Sequence, residues 1–185
     1  HVPGSEESAY IEQEIDDLDK PWLLSEGVRM GAEFPAGAPC YISRKWRGMR
    51  LDDFVSNKFD WLVVSERVRK ILETEPIEVE WLPIRLFDQK KREVQASYAL
   101  AHIIGTVDCI DLARSDFDRS AAWPEEIFIL RRLVLDMARI PKHAILFRLK
   151  EKSRTLIIRS DLVEKFHAAG VTGFSLLGLD TPILL

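Results

Sequence analysis

The chain of 185 residues carries 26 lysines and arginines against 30 acidic residues, a formal net charge of −4, and 46% of its residues are hydrophobic. A chain of this size can bury on the order of 70% of its unfolded surface, so it needs no disulfide framework. Its two cysteines, Cys40 and Cys109, lie far apart, as suits a reducing cytoplasm. The apolar runs are too short to cross a bilayer, and no stripe of Lys and Arg interleaved with aromatics marks direct nucleic-acid binding.

His1-Val-Pro-Gly-Ser5 has neither a starting methionine nor an apolar signal region and reads as a cloning or cleavage scar, leaving residues 6–185 as a single domain. The next stretch is acidic: Glu6, Glu7, Glu12, Glu14, Asp16, Asp17 and Asp19 stand against Lys20 alone, a net of −6 that leaves +2 for the remainder. Such a segment can steer a basic partner, or serve solubility as a solvated face. Tyr10 to Leu18 fits a helix, on the spacing of Ile11, Ile15 and Leu18, or the start of an edge strand. Glycines and prolines from Trp22 to Gly37 predict loops, Cys40 to Ser43 a strand, and Arg44 to Asp53 a basic turn region around Gly48.

Trp61-Leu-Val-Val64 predicts a short strand, and Ser65 an N-cap for a helix whose Val68, Ile71 and Leu72 face one way. Ile77 to Leu86 alternates as a strand with one wet face. Pro83 has no N–H for a ladder and predicts an edge or a bend there. Gln89 to Glu93 is a charged turn and Tyr98 to Ile110 a long antiparallel return. Arg114 to Glu126, rich in Asp, Arg and Ser, predicts an extended surface loop, and Ile127 to Leu135 one strand or two.

Ala144 to Leu149 and Thr155 to Ile158 pair as a hairpin. Ser160 then predicts a cap for a helix bearing Leu162, Val163 and Phe166, stopped by Gly170, with Phe174 to Leu179 returning as a strand. The two serines lie 95 residues apart, so a strand followed by a serine-capped helix is used twice. The expected fold is α+β: a single domain with a largely antiparallel, mixed-character sheet and a few short helices.

Candidate chemistry is sparse. Gly-rich phosphate loops and the GxSxG, HExxH and CxxC patterns are missing, and His102, His143 and His167 lack metal-ligand spacing, so neither cofactor nor metal is expected. Asp108-Cys-Ile-Asp111 is the most enzyme-like quartet, and a small hydrolase or transferase would use Cys109 or the Asp108/Asp111 pair. On a regular strand, however, Asp108 shares a face with Ile110 while Cys109 shares the other with Asp111, and His102 lies opposite Cys109. The plainer reading is a buried small residue flanked by turn-forming aspartates. Trp123, beside Pro124 in a polar stretch, is either an exposed interface anchor or a lid over the core.

The closing block LFRLKEKSRTLIIRSDLVEKFHAAGVTGFSL resembles that of a bacterial family, immunity protein eleven of polymorphic toxin systems. Pro21-Trp-Leu-Leu24, Phe34-Pro-Ala-Gly37, Trp61 to Glu66, Trp81-Leu-Pro83 and Val107 to Asp111 match in order, covering roughly Asp19 to Leu179. The resemblance implies a protein, not an enzyme, that binds and neutralises a toxin or effector encoded beside it; the cysteines, charge and short apolar runs add a cytoplasmic location without contact to nucleic acid or membrane. Candidate toxin contacts are then Glu12, Glu14, Asp16, Asp17 and Asp19 in the acidic segment, and Asp116, Asp118, Trp123, Glu125 and Glu126 in the predicted loop.

Overall fold

A computed structural model describes residues 6–16 and 18–179; the expected scar at residues 1–5 and Asp17 lie outside the described residues. Six strands, β1 (Tyr10–Ile11), β2 (Ala38–Tyr41), β3 (Phe54–Asn57), β4 (Val63–Ser65), β5 (Val79–Phe87) and β6 (Tyr98–Ile103), form one sheet in the order β1-β3-β4-β6-β5-β2. β1 runs parallel to β3 and β2 parallel to β5, while the remaining neighbours are antiparallel.

The sheet curls until its two outer strands meet. Ile11 bridges Ile42 just beyond β2, and the Ser43 N–H donates to the Tyr10 carbonyl at 2.7 Å, so the sheet is nearly closed. Pro83 shows how one long strand serves two neighbours: β5 pairs with β6 through Val79–Pro83 and with β2 from Ile84 onward. The proline stands at the hand-over, the position where a missing N–H disturbs the ladder least.

Side-chain alternation sorts the strand residues onto two faces. Val63, Leu82, Leu86 and Leu100 join Ile11, Cys40, Val55 and Trp61 in one core cluster. Val64, Ala101 and Ile103 belong to a second cluster with Val68 and Leu72 of helix α2 (Glu66–Glu73) and Leu162 and Phe166 of helix α3 (Ser160–Ala168). The expected pair of strand-to-helix units therefore shares this second cluster, and Lys165 of α3 pairs with Glu75 just past α2. In these terms α1 is the single turn Leu23–Glu26.

A second, smaller sheet orders β11 (Leu156–Ile158), β10 (Leu146–Leu149) and β7 (Thr106–Val107). The hairpin of β8 (Asp116–Arg119) and β9 (Ile127–Arg132) shares a third apolar cluster with Cys109, Ile110, Phe147 and Leu149. The junction between the two sheets is locked by Arg148, only 2% exposed. Its guanidinium donates to the carbonyls of Ile103 at 3.1 Å, Ser153 at 2.8 Å and Leu24 at 3.0 Å, and burial pulls its pKa down to about 10. Gly27, at φ 71°, packs so closely here that a Cβ would stand 2.9 Å from the Gly105 carbonyl. Neighbouring His102 hydrogen-bonds through Nε2 to the Val28 carbonyl at 2.7 Å.

Several expectations need correction. Ser65 caps α2, its Oγ accepting from Val68 N–H, but Ser160 does not cap α3. The first turn there closes on the Arg159 carbonyl, and Asp161 takes over the polar role, accepting from Leu162 N–H and clasping Arg159 at 2.6 and 2.8 Å. Phe174 to Leu179 is not a strand. The Phe174 ring instead meets Phe54 and Phe166 edge-on, at 5.7 Å from each. Arg114 to Glu126 is not one loop, because Asp116–Arg119 pairs with β9. The long return from Tyr98 breaks after Ile103, at the left-handed Gly105, and passes β7 to the second sheet.

Candidate functional site

Asp108-Cys-Ile-Asp111 lies between β7 and β8, where it pairs loosely with residues 134–136 through Asp111 N–H to the Val134 carbonyl and Asp136 N–H to the Cys109 carbonyl. Strand alternation fails here, since Cys109 and Ile110 are both fully buried in the third cluster. Burial pushes the Cys109 thiol up to about 11, against the exposure and low pKa that a nucleophile requires. Asp108 faces outward into ion pairs with Arg139 at 2.5 Å and Lys150 at 3.3 Å, while Asp111 accepts from Arg114 N–H in a local turn. His102 is occupied at the junction beside Arg148. Cys40 is also buried and is pushed up to about 12.

Two surface clefts stand out, of about 530 Å³ beside β1 and β2 and about 740 Å³ between β3, β11 and residues 173–179; neither is lined by a cysteine or a histidine. Among the described residues no group of three or more His, Cys, Asp or Glu is placed to hold a metal ion. No helix among them is long and apolar enough to cross a membrane.

The acidic candidates divide into committed and free. Hydrogen bonds from Lys45 and Ser43 hold the Glu12 carboxyl below its ordinary value. Arg131 grips Asp118 in a fork at 2.8 and 2.9 Å and reaches Asp116 at 3.0 Å, which lowers the Asp118 pKa. These three charges are matched within the molecule. Glu14, Asp16, Asp19, Glu125 and Glu126 are exposed and make no side-chain hydrogen bond or ion pair among the described residues.

Trp123 is exposed and does not cover the core: it is 66% exposed, in the turn of the β8–β9 hairpin. That turn is ordered. Arg119 donates to the carbonyls of Pro124 and Glu125, and Trp123 N–H donates to Ser120 Oγ. Phe128, on the following strand, is 68% exposed.

The stretch Arg44-Lys-Trp-Arg-Gly-Met-Arg50, expected as a basic turn region, places apolar side chains at the surface. Arg, Trp and Met, its main residues, are types enriched at protein interfaces. Trp46 is 44% exposed and Met49 70%.

No curated protein matches the chain significantly. The model of the Immunity protein family (Imm11) matches residues 5–180, nearly the whole chain and every element described above. By that match the chain belongs to the Imm11 immunity protein family.

Proposed function

We propose that this protein binds and neutralises a bacterial toxin made by the same cell or its kin, by covering the toxin's active site and without chemistry of its own. The observation that carries this reading is the family match over residues 5–180. The toxin is encoded beside it in this reading, and the complex forms in the cytoplasm, a compartment that suits two free, buried thiols. Trp123 supplies a rigid aromatic anchor at the hairpin tip, where desolvated aromatics contribute most to interface energies. Glu125 and Glu126, together with Glu14, Asp16 and Asp19, supply unmatched negative charge to speed encounter with a basic face of the toxin.

The test is co-expression with the product of the neighbouring gene, scoring growth rescue and co-purification. Cognate rescue with a stable complex is the expected result, and rescue without any complex defeats the occlusion mechanism. Cys109→Ser and Asp111→Asn variants are expected to protect as well as wild type. Loss of protection by either, in a protein that still folds, would point to catalysis instead.

A further inference from the structure

The 530 Å³ cleft beside β1 and β2 marks the seam where the curled sheet closes, and residues directly following β1, β2, β3 and β5 line it. Four cations, Arg44, Lys45, Lys58 and Lys91, stand there against two carboxylates, Glu12 and Asp88. Both carboxylates are already committed, Glu12 to Lys45 and Ser43, and Asp88 to Arg92 at 2.7 Å and to the Lys90 and Arg92 N–H groups. The positive charge is therefore the part left over.

The side chains of Arg47, Lys58, Lys90 and Lys91 make no hydrogen bond or ion pair among the described residues. Only Lys142 and Arg154 share that condition among the other lysines and arginines. Lys58 and Lys91 line the cleft, and Arg47 and Lys90 belong to the two loops that border it, on a protein whose net charge is −4.

The same place is held rigid. The Gln89 side-chain amide donates to the carbonyls of Ser43 at 3.0 Å and Trp46 at 2.6 Å, and Arg44 Nε donates back to the Gln89 carbonyl at 2.7 Å. Loop 43–48 and the β5–β6 turn therefore form one unit. Gly48 lies so close to the N-terminal segment that a Cβ would stand 2.1 Å from the Ser8 carbonyl. The Trp46 ring packs on Tyr10, with centroids 4.9 Å apart, and still shows nearly half its surface, and Met49, three residues on, is more exposed still. Positive charge, an exposed tryptophan and a methionine on a braced loop are the composition and preorganisation of a binding surface.

We propose that this basic seam docks an acidic segment of a protein partner, and that the partner is the toxin; the second clause rests on the function proposed above. A carboxylate-rich segment fits because the site offers cations without a rigid phosphate-binding loop, and because Trp46 and Met49 add the apolar contact that protein partners use.

The test uses fluorescence anisotropy with a labelled twelve-residue poly-glutamate peptide and, in parallel, a labelled single-stranded oligonucleotide of equal charge. The full chain is compared with the R47E/K58E/K91E variant, whose three side chains have no hydrogen bond or ion pair to lose, and with the hairpin variant W123A/E125K/E126K. Poly-glutamate affinity is expected to fall by about tenfold or more in the seam variant, to weaken with added salt, and not to fall in the hairpin variant. Equal binding by the seam variant and wild type overturns the proposal. So does an oligonucleotide that binds wild type more tightly than the peptide and is lost in the seam variant.

Co-expression with the neighbouring toxin then judges the second clause. A seam variant of wild-type thermal stability that no longer co-purifies with the toxin supports it, and one that co-purifies unchanged defeats it. If wild type itself captures no toxin, the immunity reading fails while the peptide result still decides the nature of the seam.

Discussion

The hairpin tip around Trp123 and the seam around Trp46 are both aromatic, exposed and braced, yet they carry opposite charge. At the tip, Asp116 and Asp118 are neutralised by Arg131 and only Glu125 and Glu126 stay unmatched. At the seam, Glu12 and Asp88 are neutralised and the cations stay unmatched. Counting charges along the chain gives the sign of a segment, whereas pairing gives the sign of a surface. The acidic N-terminal segment leaves a basic cleft beside it because Glu12, its one acid in the cleft lining, is taken up by Lys45 and Ser43, while the unmatched Glu14, Asp16 and Asp19 do not line it.

The largest expected effect comes from uncoupling the two regions. Arg148→Met removes the cation that joins α1, β6 and the β10–β11 turn and leaves several buried carbonyls without a donor, each costing about 1–3 kcal/mol. Urea unfolding is expected to show a loss of at least about 3 kcal/mol. An unchanged midpoint would mean that the two sheets hold together without this contact.

Next in size is Trp123→Ala, expected to weaken the toxin complex by about 2 kcal/mol or more while leaving thermal stability unchanged, since the ring covers no core. Titration calorimetry against the toxin decides it. The matching Trp46→Ala experiment ranks the two surfaces. A loss at Trp46 and none at Trp123 moves the toxin interface to the seam, and the reverse leaves it at the hairpin.

A smaller effect belongs to His102, buried beside Arg148. Burial lowers its pKa from the ordinary value near 6.5, and the Arg148 charge lowers it further. The unfolded chain then binds this proton more readily than the folded one. The contribution of His102 to stability is fully present above about pH 6.5 and is lost as pH falls towards the folded pKa. His102→Gln is expected to flatten that slope in a series of melts between pH 5 and pH 8, and an unchanged slope rejects the assignment.

Much of the scaffold was legible in the residues. Ser65 before a helix with Val68 and Leu72 inward, the charged turn after Leu86, and the doubled strand-to-helix order all follow from period and capping. Ser160 misled because a cap depends on which residue is extended when the first turn closes, and Arg159 holds that position through a hydrogen bond from its N–H to the Ile145 carbonyl. Asp116 to Arg119 hid as a strand because its outward residues are charged and their partner, Arg131, is more than a dozen residues away. The seam was less legible still. Arg44, Lys58 and Lys91 meet only because the sheet closes on itself, and that closure rests on one bridge, Ile11 to Ile42, with no local signature.

The smallest expected effects test pairing itself. Asp116→Asn removes one arm of a surface ion pair whose Arg131 keeps its fork to Asp118, so the melting temperature is expected to stay within about 2 °C of wild type and toxin affinity to be unchanged. Glu12→Gln is more telling, because it removes a charge from the seam without adding one. Lys45 loses its carboxylate partner and joins the unmatched cations, so poly-glutamate affinity is expected to rise, by no more than a few-fold given the screening of exposed charges. If affinity instead falls, Glu12 acts by holding Ser43 and Lys45 in place, and the seam binds through the shape of loop 43–48 more than through the cations it leaves over.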